Sequence, residues 1–438
     1  MRAICIAILL SLAAFPAWAT NVQEVISSKG IKAWLVEEHA VPLVAVKIMF
    51  TSSGTATDSA DKLGRATLAA AMFTEGAGEY DARAFAEAVE SRAIALQAGV
   101  DQDAFSVSME TLSEHKDIAF SLMGLSLTAP RMDAESLQRS QRQAISILAQ
   151  QEQSPGYLAW RSWQQHAFGT HPYSNPPAGT RQTIPAISQD DLRHYYTHYL
   201  TRQNMLLAVV GDITPEELGN LLDSHLGALP QSFSPEHEIP DISIAAWEEP
   251  VITQFAVPQA MVIFGLPGVA RHDTDFFPAY VLDHILAGGG SLTSRLGKEL
   301  RINKGLTYGI GSTLDLAAHA PVWRGSFATR NEQAGAALAL LQDTLRDAVK
   351  NGISQKELDD AKQYITGSFV LGLDSNADIA RYLISMQLFG LGRDYLASRN
   401  AMVEAVTLDQ VNAVARRLID VDRLRVVVVG QPGMEGRP

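Results

Sequence analysis

The sequence predicts an α+β fold of two similar domains, each a mixed β-sheet with helices packed on it, together forming half of a clamshell. Three observations carry this. Short apolar runs alternate with longer amphipathic segments along the chain. A proline-rich, acidic stretch at residues 230–250 separates two halves. The second half also repeats features of the first. Ile187-Ser188-Gln189-Asp190 leads to Val209-Val210-Gly211, and Val406-Thr407-Leu408-Asp409 leads to Val428-Val429-Gly430, both at an offset of 219 residues. Leu137, Ser154 and Ala159 map onto Leu358, Ser375 and Ala380 at an offset of 221, and Val41-Pro42 maps onto Val257-Pro258 at 216. The domains are therefore placed at residues 20–230 and 251–438, with a linker at 231–250.

In chain order, residues 31–38 and 41–50 read as strands. Their junction at His39-Ala40 suggests an antiparallel pair. Residues 63–74 form a helix stopped by Glu75-Gly76-Ala77-Gly78, and 82–92 a second one. Strands follow at 95–100 and 104–111, then helices at 115–126 and 133–151. A third helix opens at Ser154-Pro155 and runs to about 168. HPYSNPPAG at 171–179 is a loop fixed by prolines and ordered by His171. Ser188 caps a helix at 189–199, residues 204–210 form a strand, and Thr214-Pro215-Glu216-Glu217 starts another helix. Past the linker come a strand at 260–265, a helix at 276–287, strands at 308–314 and 322–328, and helices at 332–350, 355–372, 377–389 and 408–418. A strand at 424–429 closes the pattern.

The stretch GGGSLTSRLGKELRINKGLTY at 288–308 draws attention. Leu292, Leu296 and Leu300 recur every four residues, one stripe of a helix, with Arg295, Lys298 and Arg301 on or beside the other face. Asn303-Lys304-Gly305 breaks the helix and residues 306–310 begin a strand. Arg301 then stands at a helix end and Tyr308 at the mouth of a strand. Both are donors that could face one cleft and hold a carbonyl or an oxyanion. A capping Arg and a packed Tyr would look the same in sequence. Gly288-Gly289-Gly290 is no phosphate loop, because no Lys-Ser/Thr follows it.

Composition narrows the function. The 438 residues carry a net charge of −13, which argues against nucleic acid and anionic membrane surfaces as partners. Residues 1–19 read as a cleavable signal peptide: Arg2, an apolar core at 4–14, and Ala17-Trp18-Ala19 as the cleavage signal. Cleavage after Ala19 would start the mature chain at Thr20 and place it in a periplasm. The only cysteine, Cys5, falls in this leader, so thiol catalysis and Cys-ligated metals are excluded from the mature chain. No later run is apolar and long enough for a membrane span.

Several segments together resemble the pitrilysin/insulinase superfamily of zinc peptidases (family M16), in its short two-domain form. They are KLGRATLAAAMFTEGAG at 62–78, HPYSNPPAGT at 171–180, LLAVVGDIT at 206–214 and GGGSLTSRLGKELRINKGLTYGIGS at 288–312. The mitochondrial processing peptidase and related bacterial proteins share this form. Arg301 and Tyr308 match the family's Arg/Tyr pair, which the resemblance places in the active site opposite the zinc. An active member carries a His-x-x-Glu-His helix, two zinc ligands and a general base. Here Thr67 and Ala71 take the two His positions and Ala70 that of the base. The third ligand, a Glu, should fall near Ile147 or Leu148, and residues 142–151 contain no carboxylate.

No other set replaces the missing ligands. His194 and His198 stand four apart on a helix, but read as a solvated face with no acid to complete a site. Asp283-His284 and His272-Asp273 read as surface residues. The resemblance therefore implies the non-zinc-binding subunit of a heterodimeric periplasmic metallopeptidase that cleaves short or unfolded peptides. No cofactor is expected in this chain. The zinc is expected in a partner bearing His-x-x-Glu-His, and Arg301 and Tyr308 would join its composite site. A catalytically inert peptide-binding or scaffold homologue, homodimeric or not, is the alternative.

Overall fold

The computed structural model describes residues 21–247 and 249–432. The expected leader and its cleavage site lie outside them. In the first half the order is β1 (Gln23–Ile26), β2 (Lys32–Glu37), β3 (Leu43–Thr51), α1 (Arg65–Ala71), β4 (Gly76–Ala77), β5 (Tyr80–Asp81), α2 (Ala82–Glu90), β6 (Ala95–Val100) and β7 (Ala104–Leu112). Then come α3 (Lys116–Thr128), α4 (Ala134–Gln151), α5 (Pro155–Phe168), α6 (Gln189–Tyr199), β8 (Met205–Gly211) and α7 (Pro215–His225). The second half holds β9 (Val251–Gln254), β10 (Gln259–Pro267), α8 (Phe276–Leu286), a π-helix at Gly297–Asn303, β11 (Ile310–Asp315) and β12 (Val322–Arg330). It continues through α9 (Ala334–Lys350), α10 (Gln355–Leu371), α11 (Asn376–Leu388), α12 (Tyr395–Glu404), α13 (Leu408–Leu418) and β13 (Arg425–Gly430).

The expected α+β class and internal similarity hold. One sheet runs β1-β2-β8-β3-β7-β6 and the other β11-β12-β10-β13-β9. Read in reverse, the second matches the first from β2 onward. Each sheet is mixed, because β2 lies parallel to β8 and β9 parallel to β13. Repeated caps mark equivalent helices. Ser188 and Thr407 each close a capping box, and Ser154 and Ser375 each accept the amide hydrogen bond that starts α5 and α11.

Sequence proximity misled at one point. Strands β2 and β3 are not a pair: β8 lies between them, parallel to β2 and antiparallel to β3. The apolar run of β8, buried on both faces, needs a central position that neither end of the sheet provides. The short strands β1 and β9 and the helix α12 were not foreseen in the sequence.

The side-chain alternation in the central strands shows how the halves fit together. Leu207 and Val209 of β8 point into a core made with the helices of their own half. Ala208 and Val210 point the other way and meet Ala380, Leu383, Ile384 and Met386 of α11, from the second half. In β13, Val426 and Val428 face their own helices, while Val427 and Val429 meet Ala159, Trp163 and Ala167 of α5, from the first half. Each half thus lends one equivalent helix to the far face of the other's sheet.

Candidate active site

Helix α1 carries Thr67, Ala70 and Ala71, the expected ligand and base positions, and its N-terminus is firmly built. The buried carboxylate of Asp58 accepts the backbone N–H groups of Gly64 (3.0 Å) and Ala66 (3.2 Å) and the Arg65 Nε–H (3.4 Å). The Arg65 guanidinium lies over the rings of Tyr195 and Tyr199. Burial pushes the Asp58 carboxyl up to about 7, against the opposing pull of Arg65 and the two amides.

The expected ligand positions carry no ligand set. Thr67 is half-buried and donates its hydroxyl to the Pro177 carbonyl at 2.6 Å. Ala70 is half-buried and Ala71 exposed. On α4, Ile147 faces solvent while Leu148 is core. Among the described residues, no group of three or more His, Cys, Asp or Glu is gathered to hold a metal. The donor chemistry at α1, one hydroxyl and two methyl groups, does not fit zinc.

His194 and His198 do lie on one helical face, with stacked rings 3.7 Å apart. An acid, not foreseen, reaches them: Glu236 of the linker bonds His194 Nε2 at 2.6 Å. Of the two rings Glu236 bonds only that of His194, and His198 Nδ1 is taken by the His194 carbonyl. His171 orders its loop as expected, accepting from the Tyr173 amide and pairing with the Pro240 carbonyl.

The second-half stretch differs from its expected form. Its helix is a π-helix at Gly297–Asn303, a geometry that concentrates at functional sites. Leu296 and Leu300 are buried, but Leu292 precedes the helix and is exposed. Strand β11 begins at Ile310, so Tyr308 lies in the connecting loop rather than at a strand mouth. That loop is pinned. The Thr307 hydroxyl lies 2.8 Å from the carbonyls of Gly309 and Ala328, and the Thr329 hydroxyl donates to Leu306 O at 2.6 Å. The Leu306 amide donates to Leu300 O at 2.7 Å.

On this fixed backbone Tyr308 stands 85% exposed, and Arg301 is also exposed. Neither side chain has a hydrogen-bond or ion-pair partner among the described residues. The arm is anchored at its base by Arg295, which donates to both Glu357 carboxylate oxygens (2.5 and 2.8 Å) and to Gly352 O (2.7 Å). Neither Arg301 nor Tyr308 lines the groove of about 690 Å³ beside β6 or the cavity of about 540 Å³ between the halves. Within one chain the pair is presented outward rather than enclosed.

Asp283 is no surface residue. It is 7% exposed, and its Oδ1 accepts from Ser312 Oγ (2.5 Å) and Trp323 Nε1 (2.8 Å). Burial pushes its carboxyl up, against those two donors. Periodicity placed Asp283 on a helix but could not reveal partners about thirty and forty residues away.

Two family profiles match consecutive stretches of the chain. Residues 35–181 match the profile of insulinase (peptidase family M16), and residues 186–365 match that of the peptidase M16 inactive domain. The chain belongs to peptidase family M16. A crystal structure of a peptidase M16 inactive domain from Pseudomonas fluorescens superposes with a TM-score of 0.87 at 29% identity, covering 95% of this chain and 99% of that one. A Helicobacter pylori relative named non-peptidase homolog YmxG is 24% identical over 90% of each chain. A Bacillus subtilis relative named uncharacterized zinc protease YmxG is 23% identical over 90% of this chain and 94% of its own length. The two-domain architecture matches the clamshell-like M16 fold.

Proposed function

We propose that this M16 protein, with domains at 20–230 and 251–438, is the subunit of a periplasmic heterodimeric peptidase that does not bind zinc. The partner is a homologue bearing His-x-x-Glu-His, and the substrates are short or unfolded peptides. One observation carries the reading. The helix that would bind metal has no ligands, while Arg301 and Tyr308 stand exposed and unpartnered on a rigid arm. An Arg and a Tyr kept in the open, on a backbone fixed by two buried threonines, suit a site completed by another chain.

The partner's metal would supply the activated water. This chain's part is binding and charge stabilisation. The Tyr308 O–H donates to the scissile carbonyl oxygen as negative charge builds there. The Arg301 guanidinium aligns the peptide backbone through paired N–H donors and adds positive potential.

Native pull-down with zinc analysis tests the assembly, and Tyr308→Phe tests the chemistry. The substitution keeps the ring and removes one donor. Turnover of the mixed complex should fall by about 10²–10³-fold, the usual loss for one oxyanion donor, with assembly intact. Unchanged turnover would sink the assigned role. A second reading is an inert peptide-binding or scaffold homologue, supported by the name of the Helicobacter relative. It expects a zinc-free protein, homodimeric or not, in which Arg301 and Tyr308 are dispensable.

A further inference from the structure

We infer that Asp283 is the positioning residue of the Arg301/Tyr308 arm, a clasp that closes the neck of the excursion between α8 and β11. This rests on the reading that the arm serves a composite site.

The arm leaves and returns at one place. The Asp283 carbonyl accepts the amides of Ala287 (2.9 Å) and Gly288 (2.7 Å), where the chain departs from α8. Its carboxylate Oδ1 accepts from Ser312 on β11 and Trp323 on β12, where the chain has returned. The Ser312 amide donates to Ala287 O at 3.1 Å, and Gly288 bridges Ser312 in parallel. Gly288 leaves no room for a Cβ, which would lie 2.9 Å from Asp283 Oδ2. Residues 289–311 are therefore a loop closed at its neck by backbone bonds between 287–289 and Ser312, with the Asp283 carboxylate the side chain that joins α8 to both β11 and β12 there.

Energetics point the same way. A buried carboxylate costs free energy unless paired, and no cation pairs with Asp283 among the described residues. An apolar side chain would fill the space at less cost to the fold. What it could not do is hold a hydroxyl on one strand and an indole N–H on the next at one point, which fixes the hairpin against α8 and sets the angle of the arm.

Two variants and two readouts test this. Asp283→Asn keeps an Oδ1 that can accept both donors, and Asp283→Ala removes it. In the free chain, hydrogen exchange should quicken about tenfold or more across residues 289–309 in Asp283→Ala, with β10 and β13 unchanged and Asp283→Asn close to the parent. In the mixed complex, Asp283→Ala should lower kcat about tenfold with KM little changed, and Asp283→Asn should restore it. Exchange unchanged in the arm, or raised equally in the central strands, overturns the clasp. A kcat lowered by Tyr308→Phe but untouched by Asp283→Ala overturns its positioning role. If the arm loosens while neither Asp283→Ala nor Tyr308→Phe alters turnover, the clasp stands and the composite-site reading fails.

Discussion

Thr67 has a structural task where the family resemblance would expect a ligand. Its hydroxyl ties α1 to the proline loop at Pro177, a hydrogen bond with a net contribution of about 1 kcal/mol. Restoring the motif is then more than a matter of two histidines. Thr67→His with Ala70→Glu and Ala71→His should bind zinc poorly, because α4 offers no third ligand. Adding Ile147→Glu should raise zinc content after dialysis to about one per chain, since the exposed Ile147 position can carry a carboxylate without burying its charge. Leu148→Glu should instead destabilise the fold, because Leu148 is 5% exposed in the core. Stoichiometric zinc in the three-substitution protein would refute this. That residues 67, 70 and 71 lie together on one helix was legible in the sequence, because spacing on one helix is local information. The difference between exposed Ile147 and buried Leu148 was not, because it depends on which face of α4 packs into the core. Glu236 was missed for the same reason: the linker returns to α6 only in three dimensions.

At the scale of elements, the arm depends on Arg295 and Glu357. Burial alone would raise the Glu357 carboxyl, but hydrogen bonds from Arg295 and Ser354 outweigh it and hold the group at about 2, against an ordinary 4.5. A folded-state value below the unfolded one means stability fully present above pH 4.5 and lost as pH falls from there through about 2. With solvent screening discounted, the effect is roughly 1–2 kcal/mol. Glu357→Gln should flatten the acid limb of the stability curve between pH 4.5 and 2, as measured by urea unfolding. A limb of unchanged slope would mean that Arg295 anchors the arm without help from the charge. The leucine pattern of the arm was read correctly at Leu296 and Leu300 and wrongly at Leu292. A four-residue period cannot announce that the helix starts late and widens into a π-turn; Ser294, whose hydroxyl donates to Ser291 O and accepts the Gly297 amide, holds the turn that precedes it.

Across the whole molecule, the exchange of α5 and α11 decides how the halves behave. The duplication was visible in sequence through its caps and glycines. The exchange was not, because Trp163 and Leu383 show the same local periodicity whichever sheet they cover. A clamshell half joined only by residues 231–250 would let its domains melt separately. With each sheet's far face covered by the other half's helix, unfolding either half exposes the other. Trp163, 2% exposed against β10 and β13, is the sharpest probe. Trp163→Ala should cost about 3–5 kcal/mol, and the loss should appear in both halves at one midpoint. Residues 21–230 expressed alone should lack a cooperative melt and bind a hydrophobic dye through the bared face of Val22, Val36, Ala208 and Val210. Mixing them with residues 231–432 should restore the melt. A first half that melts cooperatively alone, near the midpoint of the intact chain, would show that α11 merely rests on that sheet, and the arm would then ride on a domain free to move.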